Sequence, residues 1–334
     1  MIRLIIIRET IMKKKNHIWY HVDMDGKLSA HLISEHLQAS GVKFEDLFFR
    51  AMVHEKEWPI HEVKRGDTVW IVDISPPVEV LKAVREKADF VWIDHHEQVL
   101  RALSGYSQDR DIKGIRMGGI AACMLTWAYL NGLSKETLET NTPLAWSEGA
   151  PSAVKLVADR DTWSFEYGKL TKLFHAGLQA MDTQPYSRTN IWIKVLTGNA
   201  TAAMELLTPG VNAWDVLHTI GQDPIATVVK GGVIIDALTA KRQTGTVRGM
   251  SYVRQFEGLR CNVVNHPGYG DLGEELQNSC EGADVGICWT FNGSRHTVHM
   301  YTNAAHVDVS SIAAKYGGGG HKGAARFSCE KLPF

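Results

Sequence analysis

Three short clusters of carboxylates and imidazoles carry the chemistry that this sequence suggests. Each cluster directly follows a run of β-favouring residues, at 18–20, 68–72 and 90–93. Because ligands of an open parallel sheet bind beyond the carboxyl ends of its strands, we expect the three clusters to meet there. Such side chains are ligands for divalent cations, so the sequence predicts a metal site. The clusters are His21-Val22-Asp23-Met24-Asp25-Gly26, Val72-Asp73-Ile74-Ser75 and Asp94-His95-His96.

The first cluster has two interpretations. If its strand continues, alternation points His21, Asp23 and Asp25 to one side, and Gly26 then lets the backbone turn into a helix. Alternatively, Asp23 and Asp25 only cap that helix, which for this motif alone is an equal alternative. The two companion clusters favour the metal site.

The other acids follow the same logic. Asp73 comes directly after an apolar strand and must be solvated, paired or metal-bound, with helix capping as its alternative. In Asp94-His95-His96, two imidazoles behind a carboxylate offer one neutral ligand and one phosphate contact or proton donor. A fourth acid is expected in a two-metal site, and Asp159 at the end of the apolar run 156–158 is favoured over Asp161. A surface ion pair with Arg160 is the alternative.

A glycine run near residue 320 is the other conspicuous element. Gly318, Gly320 and Gly323 satisfy G-x-G-x-x-G, but too few residues follow for the acidic ribose partner of a dinucleotide fold. Consecutive glycines let backbone N–H groups approach an anion, and nearby side chains add donors. We therefore predict phosphate or carboxylate binding rather than a flexible linker. The predicted binding residues are Gly318, Gly319, Gly320, His321, Lys322 and Arg326.

The elements that must position these residues alternate along the first half of the chain. Helical patterns at 28–39, 78–87 and 120–131 separate the strand-like runs, which indicates βαβ units, a parallel sheet and helices on both faces. Residues 192–229 are mostly helical in pattern. Strand-like runs at 250–256, 260–264, 285–291 and 297–301 and a helical pattern at 310–316 follow, with Asn292-Gly293 as a tight two-residue hairpin turn.

The predicted fold class is therefore α/β. We expect a parallel-sheet domain at 1–190, a helical connector at 191–230 and a smaller α/β domain at 231–334. The length of 334 residues agrees with two domains.

The composition limits the kinds of binding partner and the cellular location that we expect for this protein. A formal net charge of −1 argues against a broad electrostatic grip on long duplex nucleic acid. The five cysteines form no C-x-x-C pair, so neither a zinc ribbon nor a disulfide framework is indicated and a cytoplasmic location is predicted. The apolar start at 1–7 is too short to span a membrane and has no cleavage site, so no membrane or export signal is expected. Met12 is an alternative initiator.

The motifs in combination resemble one family. H-x-D-x-D-G, V-D-x-S, D-H-H, A-D-x-D and a terminal G-G-G-G-H, in this order, resemble the DHH phosphoesterases with a type 1 C-terminal domain. The resemblance spans nearly the whole chain. The family that it indicates includes RecJ-like exonucleases, oligoribonucleases of the nanoRNase type and cyclic-dinucleotide hydrolases. The resemblance implies manganese-dependent cleavage of phosphoesters. It also implies that the first domain is catalytic and binds metal, that the last domain binds substrate, and that the active site lies in the cleft between them. The metal ligands that it implies, with Asp73 bridging two ions, are His21, Asp23, Asp25, Asp73, His95 and Asp159.

The resemblance also implies roles for other residues. His96 and His321 match phosphate or substrate contacts, and Asp73, Asp94 and His96 are the expected catalytic residues. His266 is a further binding candidate, because it ends a strand in a loop similar to the substrate-side loop of the family. Two departures affect substrate preference: Tyr301 stands where many relatives have arginine, and Arg326 where they have glycine. Arg326 could supply the missing guanidinium.

The expected activity is hydrolysis of short RNA or DNA to nucleoside monophosphates, with two divalent ions. Manganese is favoured and magnesium is the alternative. Linear or cyclic dinucleotides and phosphoadenosine phosphate are alternative substrates, pyrophosphate is less favoured, and a nucleotide sensor without activity is the non-enzymatic alternative. Tyr269, Trp289 and Tyr301 are candidates for stacking on bases, although core positions are the commoner use of such residues. A homodimer is left open.

Overall fold

The computed structural model describes residues 14–53, 57–96, 112–141, 147–198, 203, 223–268 and 270–334. The chain divides into two compact units. The first unit combines Met1–Ala158 with Met181–Gly198, and the second combines Asp159–Ala180 with Asn199–Phe334. The domain boundaries at 190/191 and 230/231 stay predictions. No helix among the described residues is both long and apolar enough to cross a membrane.

The first unit contains a four-stranded sheet in which all neighbouring strands are parallel, as predicted. Its order is β2-β1-β3-β4. The strands are β1 (Asn16–His21), β2 (Leu47–Met52), β3 (Thr68–Val72) and β4 (Asp89–Ile93). The helices are α1 (Met24–Ala39), α2 (Val78–Arg85), α3 (Ala122–Leu130), α4 (Lys135–Thr140), α5 (Ser152–Asp161, which crosses into the second unit) and α7 (Trp192–Val195).

The central strands are apolar at successive positions because both faces of this sheet are covered. Ile71 of β3 packs in one cluster with Val80 and Val84 of α2. The neighbouring residue Trp70 points to the opposite face, where its ring lies 6.3 Å from that of Tyr129 in α3. The prediction of helices on both faces is therefore confirmed.

A buried pair anchors the amino ends of β1 and β3, opposite the predicted metal site. His17 Nε2 lies 3.0 Å from Asp67 Oδ2. The same carboxylate accepts hydrogen bonds from the amides of Lys15 at 3.1 Å and Lys64 at 2.9 Å. Burial alone would raise the pKa of Asp67, but the hydrogen bonds from Lys64, Lys15 and His17 outweigh it and lower the pKa.

We expect Asp67→Asn to lower the free energy of unfolding by about 3 kcal/mol at pH 7, because it removes a hydrogen-bonded buried charge. A lowered pKa in the folded state gives stabilisation that is complete above the ordinary carboxyl pKa. This stabilisation is lost as pH falls through the lowered value. The difference between wild type and variant should therefore shrink on acidification, measured by urea unfolding from pH 7 to pH 3. Asp89→Asn, at an exposed position of β4, is the control.

The second unit contains a six-stranded sheet of order β5-β6-β7-β8-β10-β9. Only the β6–β7 pair is parallel, and helix α9 (Gly270–Asn278) connects these two strands. The strands are β5 (Tyr252–Phe256), β6 (Leu259–Asn265), β7 (Val285–Phe291), β8 (His296–Tyr301), β9 (Gly319–His321) and β10 (Ala324–Cys329). The other helices are α6 (Lys169–Leu178), α8 (Pro224–Met250) and α10 (Val309–Lys315).

Two local predictions need correction in this unit. The strand expected from residue 250 begins at Tyr252, because helix α8, capped by Asp223, continues to Met250. The hairpin at Asn292 is present, but Phe291 pairs with His296, so its loop has the four residues 292–295. The Asn292 side chain closes this loop by accepting hydrogen bonds from the amides of Ser294 and Arg295.

Helices α6 and α8 pack closely where both have glycine. A Cβ on Gly177 would overlap the carbonyl oxygen of Val228, and a Cβ on Gly232 would overlap that of Leu173. Neither glycine has the left-handed backbone that usually explains this residue. The close approach of the two helix backbones explains them instead. The predicted helical region 192–229 falls largely outside the described residues, at 199–202 and 204–222.

Candidate metal centre

The first cluster folds as a strand end followed by a helix start. Strand β1 ends at His21 and α1 begins at Met24, so the interpretation in which the strand continues through Asp25 is wrong. Asp23 instead caps α1 with Oδ1, which accepts from the Gly26 amide at 3.0 Å, while its Oδ2 lies 2.6 Å from His21 Nδ1. Asp23 therefore caps α1 and contacts His21 at the same time. A Cβ on Gly26 would overlap the His21 carbonyl, so close approach rather than a turn requires this glycine.

Asp73 lies at the centre of the site. Its carboxylate is 1% exposed, with Oδ1 at 3.2 Å from His95 Nε2 and Oδ2 at 3.5 Å from His21 Nδ1. Its φ of 59° is left-handed, an unfavourable conformation that clusters at functional sites. The Asp73 amide donates to the Ile93 carbonyl at 3.0 Å, which holds this conformation between the ends of β3 and β4. Helix α2 starts after Pro77, so the capping alternative for Asp73 is wrong.

Two groups of potential ligand atoms share Asp73. One group is Asp73, His95 and His96, and the other is His21, Asp23 and Asp73; within each group the ligand atoms lie within 4.8 Å of one another. All five residues belong to the first unit. Four of the six predicted ligands, His21, Asp23, Asp73 and His95, therefore come together, and His96 joins them.

Asp25 lies beside this centre but is engaged elsewhere. Its two oxygens accept hydrogen bonds from the amides of Ala122 and Cys123, each at 2.7 Å, at the start of α3. His95 Nε2 lies 3.7 Å from Asp25 Oδ2. Asp25 thus joins the helix to the site, an anchoring role that the sequence did not reveal, since its partners lie 97 and 98 residues away. Its role as a ligand stays a prediction.

Asp94 is buried and its hydrogen bonds come from within the first unit. Oδ1 accepts from the amides of His95 and His96 and lies 2.7 Å from His96 Nδ1, whereas Oδ2 accepts from the Ser75 hydroxyl. Burial raises the pKa of Asp94, but His96 and Ser75 counteract it and hold the pKa at about 2. Asp94 is therefore ionised at neutral pH and binds His96 rather than facing the other acids.

The donor set fits a divalent cation. Burial lowers the pKa of His95, which keeps the imidazole in the neutral form that binds metals. Burial would raise the pKa of Asp23, but its contacts with His21 reverse this and lower it, so Asp23 is charged. A site that combines carboxylate oxygens with imidazole nitrogens in this way suits manganese, magnesium or other divalent ions.

Asp159, the predicted fourth acid, is held by hydrogen bonds within the second unit. The two oxygens of Asp159 accept from the amides of Glu166 and Tyr167, at 2.7 and 3.2 Å, and from the Thr171 hydroxyl. These bonds hold a loop in which Trp163 and Phe165 have left-handed φ values of 57° and 50°. Asp161, two residues further on, lies near a histidine instead: one of its oxygens and a ring nitrogen of His321 lie within 4.8 Å of each other.

The glycine run forms an edge strand rather than an open loop. Strand β9 pairs with β10 so that His321 faces Ala324 across the two-residue loop of Lys322 and Gly323. A Cβ on Gly318 or Gly320 would overlap the backbone of β10, which explains Gly318 by packing, whereas Gly320 also has a positive φ of 143°. The Lys322 ammonium donates to the Ala305 carbonyl at 2.9 Å. The predicted anion-binding role of Gly318–Gly320, His321 and Lys322 stays a prediction.

Other predicted binding residues lie on β8, β10 and the loop after β6. Arg326 is opposite His299 in the β8–β10 register, and burial together with Arg326 lowers the pKa of His299. The loop of His266 approaches the same histidine, since a Cβ on Gly268 would lie 2.8 Å from His299. Tyr301 is buried, with its ring 5.8 Å from that of Trp163, and this position does not suit base stacking. Trp289 is half-buried and Tyr269 lies outside the described residues.

Comparison with known proteins gives structural matches only. No protein-family model matches the sequence, and no curated protein matches it. A DHH domain from a member of a family of ribosomal proteins is 15% identical, with 94% of this chain and 82% of that chain covered and a TM-score of 0.51. An exopolyphosphatase-related protein from Bacteroides fragilis is 13% identical, with 96% and 88% covered and a TM-score of 0.49.

A third match is the pGpG-specific phosphodiesterase PggH from Vibrio cholerae, which is 14% identical, with 95% and 94% covered and a TM-score of 0.42. Of the three, only the first has a TM-score above 0.5. At these identities the likeness concerns the fold. The mixed α/β architecture confirms the predicted fold class, and the chain has the fold of the DHH-domain structure.

Proposed function

We propose that this protein is a metal-dependent phosphoesterase that hydrolyses short oligonucleotides to nucleoside monophosphates. The observation that carries the proposal is the position of Asp73, whose carboxylate belongs to both groups of potential ligand atoms. A carboxylate shared in this way is suited to bridge two cations. The order of motifs that resembles the DHH phosphoesterases supports the same chemistry.

The residues divide into two ligand sets. His21, Asp23 and Asp73 would hold one divalent ion, and Asp73, His95 and His96 the other. Manganese is favoured because the set mixes carboxylate oxygens with imidazoles, and magnesium is the alternative. When bound, such ions polarise the phosphoryl group, lower the pKa of water and stabilise the charge that develops on the oxygens.

The chain itself supplies orientation and substrate binding. The left-handed backbone at Asp73 directs its carboxylate to His95 and His21, and Asp94 holds the His96 ring. We assign anion binding to the turn of Lys322 and Gly323 with His321. Near-neutral net charge supports a short substrate, since a long polyanion is usually held by a basic surface.

The proposal is tested with purified protein stripped of metal. Manganese and magnesium are titrated by calorimetry, and turnover is then measured on 5′-labelled RNA and DNA from dimers to 20-mers, cyclic dinucleotides, phosphoadenosine phosphate and pyrophosphate. We expect manganese-dependent release of monophosphates, fastest from the shortest oligomers. Tight binding of one nucleotide without turnover of any substrate would favour a sensor, and absence of metal binding would exclude the proposed centre.

Two matched variants test whether Asp159 or Asp161 is the fourth acid of the metal centre. We expect Asp159→Asn to lower the free energy of unfolding by about 3 kcal/mol, because it disturbs three hydrogen bonds to a buried charge. We expect Asp161→Asn to change stability by less than about 1 kcal/mol. If Asp161 is the ligand, manganese-dependent turnover should fall on the order of 10²-fold in that variant, a change of about 2.7 kcal/mol in barrier height. A loss of turnover confined to Asp159→Asn would instead assign the role to Asp159.

A further inference from the structure

Ser75, Asp94 and His96 form a chain of hydrogen bonds that joins the segments following β3 and β4. The Ser75 hydroxyl donates to Asp94 Oδ2, and Asp94 Oδ1 lies 2.7 Å from His96 Nδ1. We propose that Ser75 is a positioning residue which, through Asp94, holds His96 in the tautomer with the proton on Nδ1 and a lone pair on Nε2. The use of that lone pair to bind a metal ion rests on the proposed function, but the tautomer does not.

The tautomer follows from the hydrogen bonds of Asp94. This carboxylate is 0% exposed and two backbone amides donate to its Oδ1, so Oδ1 is an acceptor and Nδ1 of His96 carries the proton that lies between them. Oδ1 also accepts from the amides of His95 at 2.8 Å and His96 at 3.3 Å. These three contacts fix the carboxylate plane from one side.

Ser75 fixes the carboxylate from the other side. Its hydroxyl gives Oδ2 the one hydrogen bond that this oxygen receives from the described residues. The serine is itself held on both flanks. Trp92 Nε1 donates to the Ile74 carbonyl at 3.2 Å, and Pro76 restricts the backbone of the residue before it to extended conformations. The hydroxyl is therefore preorganised toward Asp94 rather than free to rotate into solvent.

The remaining nitrogen of His96 is the one that chemistry would use. His96 belongs to the group of potential ligand atoms with Asp73 and His95. Histidines that bind metals commonly donate their other ring N–H to a carboxylate or carbonyl, which fixes both tautomer and orientation. Here the carboxylate has its own support, so a serine two residues beyond Asp73 would control a histidine beyond the next strand.

The test begins with metal-free protein labelled with ¹⁵N in histidine. The His96 signals are assigned by their loss in His96→Gln, and we expect wild type to show a protonated Nδ1 and an unprotonated Nε2. In Ser75→Ala we expect a mixture of tautomers and manganese affinity lower by about 10–100-fold, the usual effect of losing such support. Ser75→Thr, which keeps the hydroxyl, should restore both.

Ser29→Ala is the matched control, since it also removes a buried hydroxyl, one with no hydrogen-bond partner among the described residues. We expect it to change neither tautomer nor affinity. A proton on Nε2 of wild-type His96 would overturn the proposal without any variant. So would a Ser75→Ala protein that is less stable but unchanged in tautomer, which would mean that Ser75 is a structural clamp only. Loss of the proposed phosphoesterase function would leave the metal-free spectrum, and hence this inference, unaffected.

Discussion

Asp73→Asn is expected to reduce manganese-dependent hydrolysis on the order of 10³-fold or more, which corresponds to about 4 kcal/mol in barrier height. The variant removes the one carboxylate that both groups of ligand atoms share. Asparagine tolerates the left-handed backbone at this position nearly as well as aspartate, so the substitution tests charge and ligation rather than folding. Turnover on a short oligonucleotide and calorimetric manganese titration measure the effect.

The folding control for Asp73→Asn is thermal unfolding in the absence of metal. Asp73 shares His21 with Asp23 and shares His95 with Asp25, so three carboxylates lie close together. We expect the variant to be no less stable than wild type, because it removes one buried carboxylate from this group. Asp89→Asn, at the exposed start of β4, should match wild type in turnover. Retention of wild-type turnover and manganese stoichiometry in Asp73→Asn would exclude Asp73 as a bridge.

Gly232→Ala is expected to lower the free energy of unfolding by about 3 kcal/mol. The new methyl group would overlap the backbone oxygen of Leu173, which cannot move without separating α6 from α8. Gly177→Ala should act similarly through Val228 on the other side of the crossing. Urea unfolding followed by circular dichroism measures both effects.

Gly245→Ala is the matched control for the helix crossing. This glycine belongs to the same helix α8, is exposed and has nothing within 4 Å of the position of a Cβ. Alanine there should stabilise the protein by about 0.5–1 kcal/mol through helix propensity. Equal effects of Gly232→Ala and Gly245→Ala would show that the close crossing of α6 and α8 does not contribute to stability.

Much of this architecture was predictable because its signals are local. Apolar runs gave β3 with its observed bounds, and the pattern at 120–131 gave α3 within two residues. The acids after β1, β3 and β4 were predicted to meet because parallel strands end at one edge, and Asp73, His95 and His21 do so. The chemistry of these residue types then limits what such a cluster can bind.

Other features were not predictable because they depend on contacts distant in sequence. Nothing near Asp25 shows that its carboxylate binds the start of α3, and nothing near Asp159 distinguishes a ligand from the anchor of a loop. The structural reasons why certain positions require glycine were also not predictable from the sequence. Gly26 and Gly318 suggest turns and anion binding in the sequence, whereas the backbone that passes each of them requires the absence of a side chain.

The backbone at Asp73 limits how this centre can be altered. A residue with φ of 59° accepts aspartate, asparagine or glycine far more readily than a longer side chain, so glutamate is a poor substitute even though it keeps the carboxylate. Attempts to engineer a different ion preference must therefore leave this position alone. The proposed ligands that can be adjusted are those on ordinary backbone, such as His21 and Asp23, where both the donor atom and its reach can be changed.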